Sequence, residues 1–364
     1  MNRETWQLWA QVVLLFLVFY IFLVSIGLLG ASFKLFGKDL AKQLIEITSN
    51  PLVGLCAGIL ATTLAQSSST TTSIVVGMVA VGALTIEGAI PVIMGANIGT
   101  SVTNTLVSMG HITRKEEFRR ALAGATVHDF FNLIVVVILL PLEIFFGYLQ
   151  WIATAVAGAF VGVGGMKAAN PIKMATEPVI SFLLEVLDKN PVLGVIVALI
   201  LMYLSLKFLV DLAKGVVVKR AERFLHRYLF GAPLLTMLFG AVITVLVQSS
   251  SITTSMVVPL IGAGILTLEQ VFPYTLGANV GTTVTAMLAA LATGNLAAVT
   301  VAFAHLFFNL SGIALVYPIK AIRSIPLHMA RGLAQLTSRS RLYAFAYVGL
   351  AFFLIPFLLV LVWR

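Results

Sequence analysis

What most limits this chain's fold is the length over which it carries no charge. Thr5–Phe33, Ile47–Ile86, Ile144–Met166, Tyr228–Leu268, Gln270–Ile319 and Leu342–Trp363 contain no Asp, Glu, Lys or Arg. Only 10% of residues are charged, against about 25% in soluble domains. One membrane crossing needs about 20 mostly apolar residues. The expectation is therefore an all-α polytopic membrane protein, with several stretches holding more than one element. The first stretch is too long for a signal-peptide core and reads as a retained helix.

The net charge of +9 does not indicate a nucleic-acid partner. Basic residues fall in short loops between apolar segments, as the positive-inside rule expects. One cluster is Arg114, Lys115, Arg119 and Arg120; a second is Lys214, Lys219, Arg220, Arg223 and Arg227; a third is Lys320, Arg323, Arg331, Arg339 and Arg341. All three are assigned to the cytoplasm. Cys56 is the only cysteine, so no disulfide within the chain is possible.

Inside this apolar background lies Gln66-Ser67-Ser68-Ser69-Thr70-Thr71-Thr72-Ser73. It returns as Gln248-Ser249-Ser250-Ser251-Ile252-Thr253-Thr254-Ser255, identical at seven of eight positions. A polar run is costly in lipid unless something polar is bound there or other protein surface satisfies it. Gln66/Gln248, Gly95/Gly277, Pro51/Pro233 and Pro91/Pro273 all keep an offset of 182 residues, and Asn132/Asn309 keep 177. The chain is thus read as two repeats. Residues 1–143 hold a helix, a hairpin at 51–83, a broken helix at 88–109 and a helix at 118–142. Residues 144–190 form a connecting scaffold with no net crossing. Residues 191–319 hold a helix, a hairpin at 233–265, a broken helix at 270–291 and a helix at 296–318. A basic segment and a final transmembrane helix occupy 320–364. Each hairpin arm of about 15 residues spans roughly 22 Å as helix, short for a bilayer core of about 30 Å. Re-entrant hairpins fit these lengths better than full spans. With the first and third basic loops both inside, the two hairpins enter from opposite faces, making the repeats inverted. The breaks are expected at Gly95-Ala96-Asn97-Ile98-Gly99-Thr100-Ser101 and Gly277-Ala278-Asn279-Val280-Gly281-Thr282-Thr283, since broken helices recur as ion sites in transporters.

A hard monovalent cation needs oxygen from hydroxyls, amides and free carbonyls. The repeated motifs supply all three, and Gln66, Asn97, Asn132, Gln248, Asn279 and Asn309 are candidate ligands. An oxyanion needs donors. If the second arm of each hairpin begins within its polar run, two helix N-termini converge, with Gln66, Ser67, Ser68, Ser69, Gln248, Ser249, Ser250 and Ser251 around them. Neither run contains Lys or Arg, so a bound cation would supply the missing charge. The competing reading is that Ser/Thr/Gly segments are close-packing surfaces. Asp129 is an acid inside a membrane segment and a functional candidate by default; the equivalent position is Leu306. His128 and His305 match across the repeats and read as hydrogen-bonded core residues. Glu87 and Glu269 sit at element starts and read as solvated or capping. No transition-metal site, cofactor motif or catalytic constellation appears, so an enzyme is not expected.

These motifs resemble the type II sodium-dependent phosphate cotransporters. The likeness runs through the paired Gln-Ser-Ser-Ser stretches, Gly95–Thr105, Phe118–Asn132 and Phe303–Gly312. It implies Na+-coupled symport of inorganic phosphate into the cell. The chain is expected to be a bacterial member in the cytoplasmic membrane, with phosphate, Na+ and the lipid bilayer as partners and a homodimer left open. The resemblance also implies sodium ligands at Gln248, Ser249, Thr282, Thr285 and Thr100. It makes Asp129 a mark of net charge movement. Arg114 stands where animal relatives carry an acid, so no ligand role transfers there. Another oxyanion as substrate, or a non-transporting phosphate sensor, are the alternative readings.

Overall fold

A computed structural model of the chain describes residues 3–162, 164–165, 169–213 and 232–363. The second basic cluster, Lys214 to Arg227, lies outside the described residues. The first half comprises α1 (Arg3–Leu35), α2 (Lys38–Thr48), α3 (Pro51–Ala65), α4 (Ser68–Ala80), α5 (Ile86–Gly99), α6 (Ser101–Ser108) and α7 (Lys115–Phe146). Helices α8 (Tyr148–Gly162) and α9 (Ala169–Val186) connect it to the second half. There follow α10 (Pro191–Ala213), α11 (Pro233–Val247), α12 (Ser250–Ser255), α13 (Val258–Gly262), α14 (Leu268–Thr293) and α15 (Leu296–Val316). The chain closes with α16 (Lys320–Arg339), α17 (Leu342–Val348) and α18 (Ile355–Trp363). Among the described residues, six helices are long and apolar enough to cross a membrane: α1, α7, α10, α14, α15 and the C-terminal segment Leu342–Trp363.

Local sequence sets the helix starts. Asn50 accepts from the Leu52 amide at 3.0 Å, and Pro51 takes the first position of α3, where a missing N–H costs nothing. Thr85 caps α5, accepting from Gly88 at 3.1 Å. Its equivalent, Thr267, caps α14 in a reciprocal box with Gln270. The helices part at each polar run: α3 ends at Ala65 and α4 begins at Ser68, while α11 ends at Val247 and α12 begins at Ser250. The second hairpin's return arm is split between α12 and α13. Pro259 stands there, where the first repeat has Gly77; a proline inside a helix removes a donor and crowds the carbonyl four residues back.

Of the two expected breaks, only the first is present. The first is interrupted only at Thr100, which itself keeps helical dihedrals, φ −57° and ψ −33°. The second runs without interruption over Leu268–Thr293. The glycines serve helix contact instead. A Cβ on Gly95 would collide with the Leu55 carbonyl oxygen of α3, and one on Gly277 with the Met237 carbonyl oxygen of α11. One turn on, a Cβ at Gly99 would lie 2.8 Å from the Ile59 oxygen and one at Gly281 2.6 Å from the Ala241 oxygen. Gly58 and Gly240 answer from the facing helices, against the Val92 and Tyr274 carbonyls. Lipid solvates leucine as well as protein does, so close backbone approach of this kind is what holds membrane helices together.

Two apolar cores surround these pairs. One joins Phe22, Ile26 and Leu29 of α1 with Val76 of α4, Met202 of α10 and Val299 of α15. The other joins Met94 of α5 with Phe131 and Val135 of α7, Phe272 of α14 and Phe308 of α15. Helix α7, 32 residues and about 48 Å long, serves as a ruler. The start of α14 lies at its N-terminal end, where a cavity of about 430 Å³ gathers Arg119, Arg120, Thr267, Glu269 and Arg331. The start of α5, equivalent in sequence, lies beyond its C-terminal end: Gln150 donates to Glu87 at 2.6 Å, and Glu87 shares a cavity with Glu143 and Gly147.

Replacing Gly95 or Gly277 by alanine is expected to destabilise the protein by about 1–3 kcal/mol through overpacking. Gly110→Ala, where an added Cβ meets nothing within 4 Å, is the control. Thermal denaturation in detergent reads the difference.

Candidate functional site

Each hairpin turns on a glutamine in the left-handed region, Gln66 at φ 53° and Gln248 at φ 58°. Non-glycine residues reach this region at an energetic cost that surrounding structure must sustain. Here the side chain helps to fix the turn. Gln66 Nε2 donates to the Thr63 carbonyl at 2.7 Å, and Gln248 Nε2 to the Val245 carbonyl at 2.6 Å, so each amide caps the helix just ended. The Oε1 atoms accept from threonines of α6 and α14, Thr103 at 2.9 Å and Thr285 at 2.8 Å. The next serine is the N-cap of the return arm: Ser67 Oγ accepts from the Thr70 amide and Ser249 Oγ from the Ile252 amide. At each tip, the carbonyl end of one helix therefore meets the amide end of the next within two residues.

The tips meet. Ser69 Oγ donates to the Gln248 carbonyl at 3.3 Å. Between them is a cavity of about 250 Å³ to which both contribute: Gln66, Ser67 and Thr70 from the first, Gln248, Ser249 and Ser251 from the second. Thr103 adds a hydroxyl, and one face of α10 closes the space. Five of the eight residues expected around an anion thus line one cavity. Ser68, Ser69 and Ser250 do not line it; all three are buried, and Ser69 is the residue that joins the tips. Beneath the cavity, Thr62 and Thr244, equivalent residues of the two outgoing arms, keep buried hydroxyls with no hydrogen-bond partner among the described residues.

A second constellation lies where the repeats cross. His128 Nε2 donates to Asn279 Oδ1 at 2.6 Å, and Ser101 Oγ donates to His128 Nδ1 at 3.1 Å. Asn279 Nδ2 donates to Asn132 Oδ1 at 2.8 Å, and Asn132 Nδ2 to the Asn97 carbonyl at 3.1 Å. The symmetric crossing uses the matching residues loosely. His305 Nε2 reaches Asn97 Oδ1 at 3.3 Å and Asn309 Nδ2 the Asn279 carbonyl at 3.3 Å. Asn97 Nδ2, Asn309 Oδ1 and His305 Nδ1 are buried without partners among the described residues. Thr283, equivalent to Ser101, turns its hydroxyl to the Val280 carbonyl instead. One crossing is closed and its twin is open.

The remaining sodium candidates separate. Thr285 holds Gln248, while Thr100 and Thr282 donate to the carbonyls of Ala96 and Ala278 in their own helices. Asp129 is buried but does not line the cavity. Its Oδ2 accepts from the Tyr347 hydroxyl of α17 at 2.6 Å. Several participants escaped the sequence reading. Thr103 is Thr285's counterpart at the 182-residue offset, which was available to find it. Asn104 accepts from Thr254 at 3.0 Å and Ser255 at 2.8 Å, clamping the second tip; its counterpart is Ala286, so symmetry concealed it. Lys207 and Asp211 are charges within an apolar helix, itself a signal.

Paired short hairpins meeting at a polar cavity, packed among long apolar helices, define a multi-pass helical membrane protein with an internal polar site. The sequence matches the family described as Na+/Pi-cotransporter over residues 21–169 and 200–336, and the chain belongs to that family. It is 37% identical to sodium-dependent phosphate transport protein 2A of Ovis aries, over 93% of this chain and 65% of that protein. It is 35% identical to sodium-dependent phosphate transport protein 2B of Homo sapiens, over 95% of this chain and 64% of that protein. The chain thus spans slightly less than two thirds of the relatives it matches. No solved structure shows a significant match.

His128→Ala is expected to lower thermal stability more than His305→Ala. The first leaves two close buried partners unpaired and the second one distant partner, at about 1–3 kcal/mol per orphaned group. Equal melting temperatures for the two variants would contradict the closed-and-open description.

Proposed function

We propose that this chain is a secondary active transporter of the cytoplasmic membrane that couples inward movement of inorganic phosphate to Na+ by alternating access. The observation that carries the reading is the cavity built jointly by the two hairpin tips. At each tip, helix-end carbonyls offer partial negative charge to a cation and helix-start amides offer partial positive charge to an oxyanion. Burying both ions together costs less than burying either alone, which is the physical basis of coupling. The names of the relatives supply the ions: both are sodium-dependent phosphate transport proteins. Phosphate is assigned to Gln66, Ser67, Gln248, Ser249 and Ser251. Sodium is assigned to the carbonyl sides of the two tips, with Thr285 and Thr103 positioning the glutamine oxygens, and to Asp129 at a separate position.

The repeats are read as inverted. The equivalent starts of α5 and α14 at opposite ends of α7 support this, as does the meeting of the first and third basic clusters, Arg119, Arg120 and Arg331, around one cavity. In an inverted pair, exchanging the conformations of the two halves exchanges the open and closed sides. The closed His128–Asn279–Asn132 crossing and its open His305–Asn97–Asn309 twin have the form such an exchange requires. A tenfold sodium gradient contributes about 1.4 kcal/mol per ion, and each net charge moved adds about 2.3 kcal/mol per 100 mV. Both are adequate to drive accumulation.

Purified protein in proteoliposomes is expected to take up ³²P-phosphate only with an inward sodium gradient, and excess sulfate is expected to leave uptake intact. Uptake indifferent to sodium would overturn the coupling. Ser67→Ala and Ser249→Ala should raise the phosphate KM several-fold, since each removes both a cavity hydroxyl and a cap worth about 1 kcal/mol. Ser68→Ala and Ser250→Ala, outside the cavity lining, should have smaller effects. Asp129→Gly should abolish transport current while leaving residual uptake; an unchanged charge per phosphate would remove Asp129 from the coupling mechanism.

A further inference from the structure

The cavity between the tips is closed on one side by α10, through Tyr203, Leu206, Lys207, Val210 and Asp211. These positions follow helical spacing i, i+3, i+4, i+7 and i+8, so a single face of the helix is turned to the site. Among the described residues that line the cavity, Lys207 is the one cation. The other donors among the described lining residues are neutral, the serine and threonine hydroxyls, the glutamine amides and the tyrosine hydroxyl, and Asp211, one turn on from Lys207, adds a carboxylate that the ammonium must also offset. An oxyanion carrying one or two charges is poorly compensated by neutral donors alone in a space of about 250 Å³.

Helix packing does not explain this charge. At the 182-residue offset, Lys207 and Asp211 correspond to Ser25 and Leu29 of α1, and both of those are fully buried in the apolar core. At these two positions the scaffold role is therefore met by uncharged residues in one repeat, and only the helix that faces the cavity is charged there. A lysine near a helix end can also extend its ammonium to the membrane surface. Lys207, by contrast, lines the cavity.

We propose that Lys207 is an oxyanion-binding residue of this cavity, its ammonium supplying the positive charge that neither hairpin tip contains. The proposal rests on the symport reading above and adds a named cationic contact on α10. A compact ammonium with three rotatable donors can follow a tetrahedral oxyanion without fixing its orientation. Release then requires only that the lysine's hydration replace one contact.

The test compares wild type, Lys207→Met, Lys207→Gln and Lys207→Arg. Two readouts are taken: ³²P-phosphate binding to purified protein by scintillation proximity, and sodium-driven uptake in proteoliposomes. The neutral variants are expected to weaken phosphate binding and raise the phosphate KM about tenfold, as for loss of one charge-assisted hydrogen bond. Lys207→Arg should stay within about twofold of wild type. Sodium half-saturation at saturating phosphate should not move. Neutral variants with wild-type phosphate affinity overturn the proposal. So does a fall in maximal rate at unchanged KM, which is the signature of a lysine that only anchors the helix at the membrane surface. Lys207→Gln keeps a polar end and decides the matter if Lys207→Met fails to assemble. Wild-type protein that binds phosphate without sodium-dependent uptake would sink the symport reading while leaving the binding data to judge Lys207. Wild-type protein that binds no phosphate overturns both.

Discussion

The structure depends on two backbone reversals made in the left-handed region by glutamines. Gln66 and Gln248 each end one helix, cap its carbonyls with their own amides, and hand the chain to a serine that starts the next helix. A glycine would take the turn with less strain, but it would offer no amide to cap the carbonyls and no oxygen for Thr103 or Thr285 to hold. The side chain therefore ties the turn to α6 and α14. Because the turn is fixed, a helix C-terminus and a helix N-terminus open on the same small space, and opposite partial charges lie side by side without any ionised group.

The glycine pairs act one level further out. Short hairpin arms have little surface with which to grip the protein. Backbone contact of α3 with α5 and α11 with α14, at Gly58, Gly95, Gly240 and Gly277, holds each outgoing arm in place; the threonine partner of the tip lies on α14 in the second repeat and on α6, which follows α5, in the first. The glycine contacts are the same in both repeats. The polar crossing between repeats is not: the His128 side is satisfied and the His305 side leaves three buried atoms open. The same histidine and asparagines thus make different hydrogen bonds in the two halves, and Thr283 stands where Ser101 completes the His128 side.

Much of this was legible in the residues. The uncharged runs dictated helices, the offset of 182 residues paired the halves, and Ser/Thr-rich runs between two apolar arms marked the turns. The Gly-Asn-Gly segments misled, because glycine in a membrane helix signals either a break or a close contact, and only the facing carbonyls of Leu55 and Met237 distinguish the two. Asp129 was found as a lone intramembrane acid, but its partner, Tyr347, lies 218 residues away on a helix with no polar pattern to announce it. Asn104 and Lys207 were hidden by the repeat itself, which directs attention to matched positions and away from unmatched ones.

By itself the sequence determined the class of protein, the existence of two equivalent halves and the chemical type of the site, since these follow from local composition and spacing. Tertiary structure decided which oxygens face one another. It set Gln66 and Gln248 on one cavity, left Ser68, Ser69 and Ser250 out of its lining, crossed His128 with Asn279 and brought Lys207 and Asp211 of α10 to the cavity. These pairings join residues some 150 to 180 positions apart, and in lipid they are chosen by the fit of helix surfaces. A one-dimensional pattern records which residues can bond, whereas the packing of backbones determines which of them do.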